Sequence, residues 1–144
     1  MQKRNWIIRL VFIACILISC NVSAKNIVKI ATIGEVPPQF ESDDYQELTE
    51  KVIGFWERQL EQVLPHHPDL IVLPEACSRP GGLSTEEQIA YFKARKREVL
   101  DYFAGVAKNN NCYMAFGMKQ EFMDGNLRNS SFLLDRNGKI AGVY

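Results

Sequence analysis

The sequence lacks an excess of charge of either sign, and this argues against several kinds of partner. Among its 144 residues, 17 lysines and arginines balance 17 aspartates and glutamates. No overall electrostatic field would therefore draw the chain to nucleic acid or to an anionic membrane surface. The hydrophobic fraction of 47% and the charged fraction of 24% are typical of a soluble globular protein. We expect one domain, or part of one, with no nucleic-acid partner.

The sequence also lacks an apolar run that is long enough for a transmembrane helix. Its longest uninterrupted run, residues 10–18, has nine residues, whereas a helix that crosses a bilayer needs about 20. The run follows Lys3, Arg4 and Arg9, and no acidic residue comes before Glu35. This arrangement predicts a secretory signal peptide over residues 1–24 and a folded part over residues 25–144.

Two cleavage sites for this signal peptide remain open. Residues 17–20 (LISC) resemble a bacterial lipobox in which Cys20 would be lipidated, whereas residues 22–24 (VSA) fit ordinary signal peptidase. Lipidation of Cys20 would attach the protein to a membrane, and cleavage after residue 24 would release it into the periplasm. Both alternatives predict an exported bacterial protein.

Cysteine is scarce in the folded part. Of the four cysteines, Cys15 and Cys20 fall within or at the edge of the signal peptide, which leaves Cys77 and Cys112. Two cysteines do not make a disulfide framework, although an exported setting would permit one bridge. Each lies in or beside an apolar strand pattern, where a free cysteine behaves as a small buried hydrophobe. We expect burial of both thiols rather than a disulfide.

Hydrophobic periodicity predicts the element order β-α-β-α-β-β-β after the signal peptide. The predicted segments are a strand over 26–34, a helix over 45–64, a strand over 69–75, a helix from 84 to the asparagines at 109–111, and strands over 112–122, 129–135 and 139–144. This order predicts an α/β fold, in which a mixed sheet carries two helices on one face and ends in a β meander. The strand over 69–75 is apolar between its terminal acids, which predicts that it is buried on both faces.

Local signals support several of these boundaries. Ser84 with Glu87 three residues later predicts a capping box at the start of the second helix. The pairs at 124–125 (DG) and 137–138 (NG) predict tight hairpin turns. The basic residues 93–97 (KARKR) are followed at once by acids and predict a charged outer helix face. His66 and His67 lie in a proline-flanked loop without a third ligand, so we expect no metal site.

Three stretches together resemble the carbon–nitrogen hydrolase, or nitrilase, superfamily. They are residues 29–33 (KIATI), 69–75 (DLIVLPE) and 129–144 (NSSFLLDRNGKIAGVY), and their order and spacing match the N-terminal half of that family. The resemblance implies that residues 25–144 form the N-terminal part of the hydrolase domain, a partial αββα sandwich. It further implies a homodimer for the full-length protein and no cofactor.

The resemblance also implies a chemistry and a site residue. Members of the family use a Glu-Lys-Cys triad to hydrolyse amides or nitriles through a thioester. A thiol with a pKa of about 8.5 is mostly protonated at neutral pH, so a carboxylate must accept its proton. The match assigns this general base to Glu75, and partial burial at the end of an apolar strand would make it a better proton acceptor.

The resemblance places the catalytic lysine and cysteine beyond Tyr144, so it implies a truncated enzyme that is inactive alone. Lys139 does not substitute for the lysine, because it belongs to the turn that precedes that position. Cys77 follows Glu75 by two residues and would share its face in an extended backbone, but the family's nucleophile comes from another strand end. The alternative to a truncated hydrolase is a complete exported binding or envelope lipoprotein without catalysis.

Overall fold

The computed structural model describes residues 27–144. The predicted signal peptide over residues 1–24 and the possible lipidation site at Cys20 lie outside the described residues. Within them the structure contains one sheet with the strands β1 (Ile30–Thr32), β2 (Leu70–Val72), β3 (Tyr113–Glu121), β4 (Leu127–Leu134) and β5 (Ile140–Val143). The helices of the same range are α1 (Tyr45–Leu60), α2 (Thr85–Ala94) and α3 (Glu98–Asn109).

The sheet is mixed, and its strands follow one another in sequence order. Parallel pairing joins β1 to β2 and β2 to β3, so helical connections cross between them. Antiparallel hairpins then join β3 to β4 and β4 to β5. The predicted α/β class, the mixed sheet and the C-terminal meander are confirmed. In the described range, no helix is both long enough and apolar enough to cross a membrane.

The hydrophobic core lies between the helices and one face of the sheet. Alternate residues of β3 and β4 are buried against the helices, namely Met114, Phe116, Met118, Ser130, Phe132 and Leu134. At the centre, the ring of Phe103 on α3 lies 5.9 Å from Trp56 of α1 and 4.7 Å from Phe116. Aromatic contacts at these separations add to the stabilisation that burial of apolar area provides.

The opposite face of the sheet is covered by no helix in the described residues, and this corrects one expectation. The strand 69–75 was predicted to be buried on both faces, but of its apolar residues only Ile71 and Leu73 are buried. Leu70 and Val72 point to the other side and are half-buried. Their neighbours on that side, such as Ala115 of β3, are also half-buried. We call this side the open face.

The second predicted helix is two helices, and a buried arginine lies at the interruption. The helix is interrupted at residues 95–97, where Lys96 takes a left-handed φ of 48°. Arg95 is fully buried and donates to the Ser78 hydroxyl (3.1 Å) and to the backbone carbonyl of Lys119. Its guanidinium also lies 5.4 Å from the centre of the Phe92 ring. A buried cation needs such partners, and the interruption of the helix lets Arg95 reach them. The prediction that Arg95 is part of a charged outer face is therefore wrong.

Local signals at the element ends are confirmed where the structure describes them. The Ser84 hydroxyl accepts from the Glu87 amide at 3.3 Å, and the Glu87 carboxylate accepts from the Ser84 amide at 2.7 Å. Both hairpins close through a glycine with positive φ, 76° at Gly125 and 73° at Gly138. Such angles favour glycine because a side chain would crowd the backbone there. The predicted capping box and hairpin turns are therefore present.

The two hairpin glycines allow a matched test of the fold. A Cβ at Gly125 would meet open space, whereas a Cβ at Gly138 would collide with the backbone carbonyl oxygen of Ala104 on α3. Gly125→Ala should therefore cost only the left-handed strain, about 1–2 kcal/mol. Gly138→Ala should cost that strain plus the collision, about 2–5 kcal/mol. Urea unfolding of the 144-residue chain measures both, and equal losses of stability would contradict the packing of α3 against this turn.

Candidate active site

Glu75 lies just after β2, in a turn that is attached to two other elements. Ala76 takes a left-handed φ of 59°, which ends the extended backbone after Glu75. The Cys77 amide then donates to the carbonyl of Gly117 on β3 at 3.2 Å. The Trp56 indole of α1 donates to the carbonyl of Cys77 at 2.6 Å, in the buried interior. These contacts fix the backbone immediately beside the candidate base.

The backbone of Glu75 approaches β3 at a position that has no side chain. A Cβ built on Gly117 would lie 3.2 Å from the Cα of Glu75 and 3.5 Å from its Cγ. The first distance is tighter than ordinary van der Waals contact, and the contacted atom belongs to the backbone. A glycine in a strand interior commonly marks such a close approach. The absence of a side chain at Gly117 therefore allows the turn that contains Glu75 to pack directly against the open face.

The carboxylate of Glu75 has one side-chain partner among the described residues. Its Oε1 accepts a hydrogen bond from Nδ2 of Asn129 at 2.7 Å, across 54 positions of sequence. Asn129 is held on β4, where it pairs with Lys119 of β3. Glu75 is exposed rather than partly buried, because nothing in the described range covers the open face at this point. The expected burial is therefore not found.

Glu75 and Asn129 line two neighbouring pockets. The larger is a cleft of ≈ 420 Å³, and its lining includes Gly117, Ser131, Phe132 and Tyr144. The smaller pocket, ≈ 70 Å³, is lined also by Ser78, Arg79, Gln88, Phe92 and Lys119. The larger cleft contains no lysine and no cysteine from the described residues. The arrangement thus presents a carboxylate that can accept a proton and amide and hydroxyl groups that can donate hydrogen bonds, but it provides no strong nucleophile.

Cys77 is removed from this cleft. The turn at Ala76 sends its side chain into the core, where it is fully buried, and burial raises the pKa of its thiol to about 12. A buried, protonated thiol is a poor nucleophile. Cys112 is also buried and free, and the expectation of two buried thiols without a disulfide is confirmed.

The sequence predicts Glu75 as the candidate base but does not identify the residues that contact it. Asn129 was recognised only as the first residue of a family-like stretch, and no local signal indicates a partner 54 positions away. Gly117 breaks an otherwise regular strand, which is a usable signal for a close backbone approach. Arg95 was misjudged because a basic cluster on a helix usually faces solvent.

Comparison with known families assigns the chain. The family model described as carbon–nitrogen hydrolase matches residues 29–144, so the chain belongs to the carbon–nitrogen hydrolase family. The match covers the turn with Glu75 and the whole stretch from Asn129 to Tyr144. No significant match was found among curated proteins.

Solved structures show the same fold over part of their length. The C. elegans NitFhit protein has a TM-score of 0.64 and 19% identity, over 80% of this chain and 26% of its own. A carbon–nitrogen hydrolase from Helicobacter pylori G27 has a TM-score of 0.59 and 19% identity, over 81% and 38%. An amidase from Nesterenkonia sp. has a TM-score of 0.61 and 13% identity, over 81% and 41%. The chain thus spans less than half the length of these neighbours, and at such identities they show the fold alone.

Burial of the Cys77 thiol predicts slow chemical modification. With a pKa of about 12, only on the order of 10⁻⁴ of the Cys77 thiol is ionised at a pH of about 8. Iodoacetamide should therefore label Cys77 far more slowly in the folded chain than in urea, as measured by peptide mass spectrometry. Equal labelling rates in the two states would show that Cys77 is accessible and would reopen its candidacy as a nucleophile.

Proposed function

We propose that Glu75 is the general base of a carbon–nitrogen hydrolase that acts on amides or nitriles. The observation that carries the proposal is the contact of Glu75 with Asn129, because it joins the ends of two family-like stretches at one cleft. Residues 25–144 would form the N-terminal part of the hydrolase domain. A lysine and a cysteine from outside the 144 residues would complete the site.

In the proposed reaction Glu75 moves protons at both steps. Its carboxylate takes the thiol proton of the incoming cysteine, and the thiolate sulfur bonds to the substrate carbon. The lysine ammonium stabilises the negative charge that develops on the substrate heteroatom. For an amide, Glu75 returns the proton to the nitrogen as the C–N bond breaks, so ammonia or an amine leaves and a thioester remains. Glu75 then accepts a proton from water as the water oxygen bonds to the thioester carbon. It returns that proton to the cysteine sulfur as the C–S bond breaks, so the carboxylic acid leaves and the thiol is restored.

A related solved structure supports the substrate class. It is an amidase from Nesterenkonia sp. AN1 in which one glutamate is replaced by glutamine and one cysteine by alanine, in complex with acrylamide. This chain matches it with a TM-score of 0.63 and 12% identity, over 87% of this chain and 45% of that one. Small amides are therefore suitable first substrates for a test.

We also propose that the enzyme is exported. Residues 1–24 would direct export, and lipid at Cys20 would attach the protein to a membrane if the lipobox is used. Cleavage at the alternative site would leave a periplasmic enzyme. We also propose that the full-length protein is a homodimer, as the family resemblance implies.

The test compares two carboxyl-to-amide changes. In the longest polypeptide that the gene encodes, Glu75→Gln should reduce hydrolysis of acrylamide by about 10²- to 10⁴-fold, the usual contribution of a general base. Glu50→Gln, an exposed position on α1, should leave the rate unchanged. Ammonia release measures both, and the 144-residue chain alone should release none.

Full activity in Glu75→Gln would contradict the assigned role. Hydrolysis by the 144-residue chain alone would contradict the need for residues from outside it. Absence of hydrolysis from the longest polypeptide, tested with small amides and nitriles, would favour the non-catalytic exported binding protein instead.

A further inference from the structure

We propose that Asn129 is a positioning residue that orients the carboxylate of Glu75 in both of its protonation states. The inference rests on the proposed role of Glu75 as general base. It adds a residue of β4 to the machinery of the site, and it assigns Asn129 no direct contact with substrate.

The contact between the two side chains is short and held by rigid elements. The distance of 2.7 Å from Nδ2 to Oε1 is in the range of hydrogen bonds that involve an ionised group. Asn129 is fixed by the long antiparallel ladder between β3 and β4. Glu75 is fixed by its close approach to Gly117. The two backbones are therefore held close together, and the hydrogen bond between the exposed side chains orients the carboxylate.

The hydrogen bond engages one carboxylate oxygen of Glu75 and leaves the other available as a proton acceptor. Oε1 faces Asn129, whereas Oε2 of Glu75 accepts no hydrogen bond from the described part of the chain. The same carboxylate lines the ≈ 420 Å³ cleft. Asn129 thus occupies one oxygen and leaves the other free to receive a proton from a group that enters the cleft.

A carboxamide suits this task better than a cation would. An ionised carboxylate has only acceptors, so the amide nitrogen must face it. Once Oε2 of Glu75 carries a proton, Oε1 is still a carbonyl acceptor, so the Asn129 amide nitrogen continues to donate to it. An arginine or lysine in the same place would favour the ionised form alone and oppose proton uptake. Asn129 can therefore hold Glu75 without fixing its charge.

The charged groups around the pair do not replace this contact. Lys119 lies opposite Asn129 on β3, and Arg79 follows the turn that contains Glu75. Within residues 27–144 neither side chain forms an ion pair with Glu75. Arg128, the neighbour of Asn129 on β4, is paired with Asp124. The phenol of Tyr144 lines the same cleft from the end of the chain.

A first experiment measures the contact without any activity. In the ¹⁵N-labelled 144-residue chain, the bonded side-chain amide proton of Asn129 should resonate at low field and move upfield in Glu75→Ala. The side-chain amide of Asn110 donates to the backbone carbonyl of Val106 at 2.9 Å and should not move. An Asn129 resonance that is the same in both chains would overturn the inference, whether or not the protein is an enzyme.

A second experiment measures the positioning role in the longest polypeptide that the gene encodes. Asn129→Leu, which has a similar shape but no hydrogen bond, should lower kcat about ten- to a hundredfold and leave KM unchanged. The double variant Glu75→Gln with Asn129→Asp exchanges donor and acceptor. It should recover the thermal stability of the wild type but remain as inactive as Glu75→Gln.

The outcomes separate this inference from the proposed function. Wild-type kcat in Asn129→Leu would overturn the inference while Glu75 could still be the base. A loss in Asn129→Leu that appears only as a raised KM would also overturn it, because substrate contact rather than orientation would then be affected. If Glu75→Gln is fully active, the proposed function fails, and the resonance of Asn129 still decides whether the contact exists.

Discussion

The candidate site depends on the absence of a side chain at Gly117. Because β3 presents bare backbone there, the turn after β2 can rest on the sheet, with the Cα of Glu75 3.2 Å from where a Cβ would be. The amide of Cys77 then reaches the Gly117 carbonyl, and the Glu75 carboxylate reaches Asn129 on the next strand. One close approach thus positions the acid, its hydrogen-bond partner and the cleft.

A second constraint holds the same turn from the helical side. Arg95 is fully buried, and its donors reach the hydroxyl of Ser78 and the carbonyl of Lys119. Burial lowers the pKa of this guanidinium, and the charge interaction with the Tyr91 hydroxyl partly offsets the effect. A cation placed between the turn after Glu75 and the end of β3 resists movement of either, because any separation would leave it buried without partners. Arg95 thus holds the turn from the helical face, whereas the chemistry is proposed at the open face.

Sequence reasoning succeeded where structure is decided locally. The capping box at Ser84 and the positive-φ turn at Gly138 depend on a few adjacent residues, and both were predicted. The prediction of a single long helix over 84–111 was wrong. The interruption depends on where Arg95 finds hydrogen-bond partners in the folded core, which hydrophobic periodicity does not show. Burial of residues 69–75 was overestimated because an apolar run does not reveal which face is covered. The contact of Asn129 with Glu75 depends on register between distant strands, so only the family resemblance pointed to that region.

The central claim is that Glu75 acts as a proton acceptor, and chemical rescue tests it most directly. Glu75→Ala removes the carboxylate and leaves space at an exposed position, into which a small carboxylate can diffuse. In the longest polypeptide that the gene encodes, added formate should restore amide hydrolysis in proportion to its concentration, whereas chloride at equal ionic strength should not. A folded Glu75→Ala variant that binds substrate but gains nothing from formate would contradict the account.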